Sequence, residues 1–328
     1  MPRVSVVMSV YNGERFLRQA VDSILAQTFT DFEFVVVDDG STDGTAEILK
    51  GYTDPRLRMI RQENIGLIGS LNRAVDIASG DYIARMDADD ISSPRRLDRQ
   101  LEWLESKPGI AVLGTQAAEI DEAGDTLRRH YYPVGSDAIA KALLRGATAL
   151  CHGTVMFRRA CFEKVGGYRR PFEHAEDYDL WLRMIESYEV ENLTGVLYLK
   201  RLTLDSVSFA HFLGQQRGAA YALDCARRRR AGRPEPERPP SAPLPTPQES
   251  ADYHWHLGLA YADLGDVHKA RAEFRSALSK SKADPHIWYS YLVSLLGASL
   301  ARGALRIARA LAFVFPSLQK DSLEAFRR

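Results

Sequence analysis

Three carboxylates crowd into the four positions Asp87-Ala88-Asp89-Asp90, directly after the short apolar run Tyr82-Ile83-Ala84 and just before Ser92-Ser93-Pro94. At the carboxyl end of a strand, where open α/β sheets place their ligands, such acids repel one another unless a cation or hydrogen-bond donors neutralise them. Oxygen ligands at this density suit a hard divalent ion, Mg2+ or Mn2+, held by one or two carboxylates together with substrate phosphates. The same residues also read as an acidic turn in which Asp90, Ser92 or Ser93 caps the following helix. Taken alone, the motif does not choose between these readings.

The elements that would position this turn are legible on either side of it. Residues 4–8, Val-Ser-Val-Val-Met, form a β-branched run, and the stretch 14–27 then sets Leu17, Val21 and Ile24 at helical spacing. A second apolar run, 32–37, ends in Asp38-Asp39-Gly40-Ser41-Thr42-Asp43-Gly44, a turn followed by a helical segment over 45–50. Strands over 57–60 and 82–86 and a helix over 67–78 continue the alternation, which predicts an α/β fold with a mostly parallel sheet covered by helices on both faces. The polar strand ends Ser9-Val10-Tyr11-Asn12, Asp38-Asp39 and Asp87 to Asp90 should then meet along one edge, as ligand-binding loops do.

In sequence order, Val-Ser-Val-Val-Met-Ser-Val-Tyr-Asn (4–12), Val-Asp-Asp-Gly-Ser-Thr-Asp-Gly-Thr (37–45), Asn64-Ile65-Gly66 and Asp-Ala-Asp-Asp (87–90) resemble glycosyltransferase family 2, inverting nucleotide-sugar-dependent enzymes with the GT-A fold. The run His174-Ala175-Glu176-Asp177-Tyr178-Asp179-Leu180-Trp181-Leu182-Arg183 is similar to the family's acceptor-side Glu-Asp motif, which extends the resemblance over roughly the first 215 positions.

The resemblance implies roles position by position. Asp39 matches the carboxylate that holds the nucleotide base or ribose, with Ser9 and Tyr11 where the family wraps the base. A ring at Tyr11 can stack on it or simply close the first strand. Asn64 matches an amide contacting the nucleoside, Gly66 lets the chain pass close to the ligand, and Asn72 faces the same region. Asp87 and Asp89 match the metal-binding Asp-x-Asp positions, Asp89 as the direct ligand, while Asp90 falls to a supporting or capping role. Asp177 matches the general base, with Glu176 beside it as a positioning or donor-contacting group. Both also sit where a helix dipole favours acids, since Leu180, Trp181, Met184 and Ile185 line an apolar helical face. His152 lies on the strand that approaches the acceptor, where a hydrogen-bonded structural role is the commoner reading. Arg201 and the segment 205–211 resemble the part that folds over the donor diphosphate, Arg201 as a phosphate contact or a solvated strand-end cation.

Composition narrows the classes further. Among 328 residues, 43 basic and 43 acidic side chains give zero formal charge, so nothing global draws the chain to nucleic acid. Cys151, Cys161 and Cys225 have neither metal-ligand nor disulfide-framework spacing. Strand-like residues from Val4 leave no room for a secretory leader, and no apolar span is long enough for a membrane helix, so the expected location is cytoplasmic. A boundary falls near Arg227: residues 1–226 are the catalytic domain and 227–249 an Arg- and Pro-rich linker. The arginines of 227–230 read as a solvated helix end or as a site for anionic partners.

Residues 250–328 are helical, with Leu257-Gly258, Tyr261, Gly265, Ala270, Phe274 and Ala277 at tetratricopeptide-like spacing. A single repeat cannot bury its own face and must pack on the next helix, on the catalytic domain or on a partner. The segment 300–315 fits an amphipathic helix, either completing that bundle or lying on the inner face of a membrane.

The function expected is single-sugar transfer from a nucleotide-diphosphate sugar, UDP-sugar first, to a hydroxyl on a glycan, lipid-linked or protein acceptor, in surface-polysaccharide or other glycan assembly. Processive relatives carry Gln-x-x-Arg-Trp, whereas Gln215-Gln216-Arg217 lacks the tryptophan. The alternatives are an inactive GT-A and helical-repeat scaffold, and a nucleotidyltransferase attacking phosphorus.

Overall fold

The computed structural model describes residues 1–204, 211–237, 246 and 249–295. The expected linker positions 238–245 and 247–248, the segment 205–210 and the amphipathic stretch 300–315 lie outside the described residues. The chain divides into two compact units, one of Met1–Arg201 with Gly214–Ser241 and one of Leu202–Leu213 with Ala242–Arg328.

In the first unit, β1 (Val4–Val10), β2 (Phe32–Asp38), β3 (Leu57–Arg61) and β4 (Tyr82–Met86) are parallel and ordered β3-β2-β1-β4. Between them run α1 (Leu17–Leu25), α2 (Thr45–Lys50) and α3 (Gly66–Ile77). This half matches the sequence reading within a few residues, because the apolar period switches cleanly between strand and helix. The sheet then becomes mixed. β8 (Met156–Arg158) joins β4 antiparallel, β6 (Ile110–Ile120) joins β8 antiparallel, and β9 (Glu189–Arg201) runs parallel to β6. The short β5 (Ile91–Ser92) pairs with β9, and β7 (Thr126–His130) pairs with the far end of β6.

Two apolar layers cover the sheet. Leu17, Val21 and Ile24 of α1 pack with Leu97, Leu101 and Leu104 of α4 (Arg96–Ser106) on one face. On the other, Leu71 and Val75 of α3 join residues of α5 (Ser136–Leu144), α7 (Glu176–Met184) and α8 (Phe212–Arg230), while α6 (Arg159–Lys164) follows β8. Every residue of β6 is buried, which fits a strand with layers on both sides.

The first unit continues beyond position 226. Arg229 is drawn inward from the expected solvated arginine run, pairing with Glu186 at 2.8 Å and Glu235 at 2.5 Å, and Tyr221 donates its hydroxyl to the Pro236 carbonyl.

The second unit holds α9 (Ala251–Asp263), α10 (Val267–Lys280) and α11 (Pro285–Ser294), capped by the side chains of Ser250, Asp266 and Asp284. Gly258 lets α9 and α10 close up, since a methyl there would come within 2.6 Å of the Phe274 ring. Trp255, Leu259, Phe274 and Ile287 form their shared core.

Candidate active site

The acidic turn follows β4 directly and is held from below. Arg96 is fully buried and donates to the carbonyls of Gly153 at 2.7 Å and Arg85 at 3.1 Å while lying over the Tyr198 ring. Burial lowers its guanidinium to about 10. The Arg85 side chain, buried inside β4, is ion-paired with Asp87. The Asp87 backbone N–H donates to the Tyr198 hydroxyl at 3.2 Å. Asp89 is pushed up to about 6, by burial first and by the Asp87 charge second. Asp90 is buried and accepts the Arg201 backbone N–H at 2.7 Å, and burial with its two acidic neighbours raises it well above the carboxylate range.

Arg201 is a brace for this turn. Its guanidinium donates to the carbonyls of Asp89, Asp121 and Glu122 and to Gln19 Oε1, at 2.7–3.0 Å, and lies over the Phe16 ring. With every nitrogen committed and the side chain buried, it is not placed as the free phosphate contact expected from sequence. The reason is local: β9 ends beneath the turn, so its last cation meets backbone carbonyls before it meets solvent.

The ends of β1 and β2 are tied to each other. Asn12 Oδ1 accepts the Thr42 N–H at 2.8 Å, the Asn12 N–H donates to Ser41 Oγ, and the Gly13 N–H donates to Thr45 Oγ1. Asn12 takes a positive φ of 53° to do so. Tyr11 is thereby turned outward, 53% exposed, while Ser9 stays partly buried at the strand end. Asp39 is buried and accepts from Gln62 Nε2 at 2.7 Å and from the backbone N–H groups of Ile65 at 3.0 Å and Gly66 at 2.9 Å. It therefore fixes the start of α3, where Gly66 adopts φ +82°. Exposed Asn64 caps Gly66 with its own Oδ1 at 3.2 Å.

Asn72 is used elsewhere than expected. Its amide donates to the Tyr168 carbonyl at 2.9 Å and accepts the Tyr168 N–H at 3.1 Å. Because α3 carries position 72 on its inward flank, the amide clamps a backbone instead of facing a ligand. Tyr168 in turn shares a 2.7 Å hydrogen bond with His152 Nε2, and the His152 ring meets Trp181 edge-on. Burial holds the His152 imidazole well below its ordinary range, hence neutral.

Glu176 and Asp177 open α7. His174, two residues earlier, sits at φ +68°, an unusual conformation for a residue with a side chain and one that clusters at functional sites. The helix α8 presses on this corner: a methyl on Gly218 would come within 2.8 Å of Ala175 Cβ. Buried Asp179, one turn on, is gripped by Arg169 at 2.5 Å and Arg183 at 2.8 Å, which sets the rotation of α7. Glu176 is raised to about 7 by burial and then by Asp177, with Asp87 adding to the effect. Burial also raises Asp177, opposed by its hydrogen bond from the Tyr178 N–H and by Arg85 and Lys200.

Residues 5–166 match the profile of Glycosyl transferase family 2. The chain is 38% identical over 232 residues to the putative glycosyltransferase EpsE of Bacillus subtilis, covering 69% of this chain and 80% of that protein. The chain belongs to glycosyltransferase family 2. A second member, the O-antigen biosynthesis glycosyltransferase WbnJ of Escherichia coli, is 32% identical over 229 residues, 68% of this chain and 85% of WbnJ. Among solved structures, the mannosyltransferase PcManGT of Pyrobaculum calidifontis, in complex with GDP-Man and Mn2+, superposes with TM-score 0.56 at 20% identity, covering 96% of this chain and 88% of its own. Residues 1–349 of S. aureus TarS, in complex with UDP-GlcNAc, superpose with TM-score 0.51 at 18% identity, covering 98% and 92%. The chain is thus a glycosyltransferase on a GT-A-like mixed α/β fold.

A divalent ion suits the residues of this family-2 turn. The Asp89 carboxylate has no side-chain partner among the described residues and is charge-crowded by Asp87, which is the condition a hard cation relieves. Among the described residues no three of His, Cys, Asp and Glu converge into a cage, consistent in chemistry with an ion completed by substrate phosphates.

Arg85, Arg96, Gly153 and Tyr198 are the site residues that motif reading passed over. The signal for Arg85 was present: a lone cation in the apolar run Tyr82-Ile83-Ala84-Arg85-Met86 must find an anion once buried.

Proposed function

We propose that this family-2 glycosyltransferase is inverting, metal-assisted and non-processive, moving one sugar from a nucleotide diphosphate donor to an acceptor hydroxyl. The observation that carries the reading is the acidic turn that closes β4, where Asp87 is ion-paired with buried Arg85 and stands beside the crowded Asp89, in a chain of glycosyltransferase family 2. In this reading Asp39 and the Ile65–Gly66 backbone receive the nucleoside, Tyr11 offers its exposed ring to the base, and Ser9, Asn64 and Gly66 line the same edge. Asp89, with Asp87, would hold an Mg2+ or Mn2+ ion, whose positive charge would stabilise the departing diphosphate.

Asp177 accepts the proton as the acceptor oxygen attacks C1, the C1–O bond to diphosphate breaks, and the configuration inverts. Glu176, pushed up to about 7, orients the acceptor or donor hydroxyls. Neutral His152 and Tyr168 form the wall beside them. We read the donor as a UDP-sugar first, supported by the fold shared with the TarS complex, and the pathway as surface-glycan assembly, supported by the likeness to WbnJ. The α9–α11 helices are read as a tetratricopeptide-like module for a protein or membrane-surface partner, supported by the Gly258–Phe274 close packing.

The test is calorimetric titration of the full chain with UDP, dTDP, GDP and their sugars, with and without Mn2+. Saturable, Mn2+-dependent binding with a base preference is expected. No binding to any of them sinks the reading.

A further inference from the structure

Behind the head of α7, charged side chains of both signs form one continuous line of contacts. Asp179 is fully buried and takes the fork of Arg169 through Nε at 3.0 Å and Nη2 at 2.5 Å. It also receives Nε and Nη2 of Arg183, at 3.0 and 2.8 Å. The remaining terminal nitrogen of Arg169, Nη1, reaches Glu235 at 3.0 Å. Glu235 in turn receives Arg229 Nη1 at 2.5 Å, and Arg229 Nε ends the line on Glu186 at 2.9 Å. Acids and arginines alternate along the line, so each charge has a partner of opposite sign, which a buried carboxylate such as Asp179 requires.

Glu235 comes from Arg233-Pro234-Glu235-Pro236, the stretch after α8 that the sequence reads as linker. The prolines on either side narrow its backbone before any contact is made. Tyr221 of α8 donates to the Pro236 carbonyl at 2.9 Å and stacks on Phe172 with ring centres 4.8 Å apart, and the Arg169 guanidinium lies over that same Phe172 ring. Arg169 is therefore held by a ring face, by Glu235 and by Asp179 together. Arg183 donates to the carbonyls of Val165 and Gly167, at 2.5 and 2.6 Å, beside the Tyr168 that holds His152. Every link is a direct contact, and the line runs from the proline-flanked strap to the helix whose first turn carries Glu176 and Asp177.

We propose that Glu235 is a positioning residue for transfer: by holding Arg169 against Asp179 it fixes the rotation of α7, and so the direction of the Glu176–Asp177 pair. The proposal rests on the transfer reading for its functional meaning. It gives the proline-flanked stretch a use that a linker does not have. A neutral side chain at 235 leaves Arg169 and Arg229 without their shared anion, and the fork on Asp179 loses the group that holds it in place. Asp179 stays paired with Arg183, so the chain should still fold while α7 gains freedom to turn.

The experiment compares the full chain with E235Q and E235D by hydrogen exchange and by Mn2+-dependent hydrolysis of UDP-GlcNAc and GDP-mannose. In E235Q, amides of residues 174–184 are expected to exchange at least about fivefold faster, while those of residues 4–25 keep the parental rate. Hydrolysis should lose about tenfold in kcat with KM within about twofold, because the reacting group is misaimed and the donor site is untouched. E235D, which keeps the charge, should restore kcat to within about threefold of the parent. Parental exchange over 174–184 overturns the proposal, as does equal acceleration over 4–25, which would be general loosening, or a rise in KM at constant kcat. If E235Q does not fold, R229Q breaks the same line one link farther out and is judged by the same criteria. A parent chain that binds no nucleotide and hydrolyses neither donor sinks the transfer reading, while exchange still decides whether Glu235 sets α7.

Discussion

The Tyr198 hydroxyl receives the Asp87 backbone N–H at 3.2 Å, joining two residues 111 positions apart in the chain. Gly153 fills the space between them: a methyl there would collide with the Tyr198 hydroxyl and come within 2.8 Å of Asp87 Oδ2. The acidic turn therefore depends on a phenol from β9 and on the absence of a side chain beside β8. Gly153→Ala should cost about 1–3 kcal/mol through overpacking and reduce Mn2+-dependent nucleotide binding more than metal-free binding. Urea unfolding and calorimetry of the same variant check both; parental values in each assay would place Asp87 outside the crowding.

Asp177→Asn should cut sugar transfer by at least about 100-fold, the scale of a lost general base, and leave nucleotide affinity within about twofold. Transfer rates measured beside UDP and GDP titrations decide it. A fully active variant removes Asp177 from the mechanism.

Asp89→Ala should abolish the enhancement of nucleotide binding by Mn2+ while sparing the fold, since it deletes a crowded carboxylate that has no side-chain partner among the described residues. Unchanged metal dependence would eliminate the ligand role.

Glu176 gives a pH signature. Its carboxyl is raised to about 7 in the fold, against 4.5 ordinarily, so the folded state binds the proton more tightly than the unfolded chain. Stability from this group is present below about pH 4.5 and is lost as pH climbs toward 7. Glu176→Gln should therefore be neutral near pH 4 and stabilising by roughly 1–3 kcal/mol at pH 8. Melting temperatures across that range test it, and an effect of the opposite sign would mean that Glu176 is charged and satisfied in the fold.

The parallel half of the sheet was legible because β1, β2 and β4 are short, largely buried runs ending in polar turns, and local pattern determines both. The mixed half was not. β6 is buried along its whole length and shows no alternation, and its partners β8 and β9 lie far along the chain, so no local period betrays them. The carboxylates of the site could be picked out because acids at strand ends are conspicuous. Asn72 and Arg201 went differently because an amide or guanidinium bonds backbone and ligand equally well, and only burial in three dimensions tells which is reached first. Arg169, Asp179 and Arg183 carried a pattern that sequence could express only in part: Asp179 and Arg183 are one helical turn apart, while Arg169 comes from the preceding loop.

The bonds that join Asn12, Gly13 and Glu14 to Ser41, Thr42, Gly44 and Thr45 lie wholly within the chain. In the proposed reading, a nucleoside reaching that rim meets loops already tied to each other, so association there needs no loop-closing step. Its rate should follow diffusion and steering rather than a conformational gate, which moves control over how long a nucleotide stays to the dissociation step.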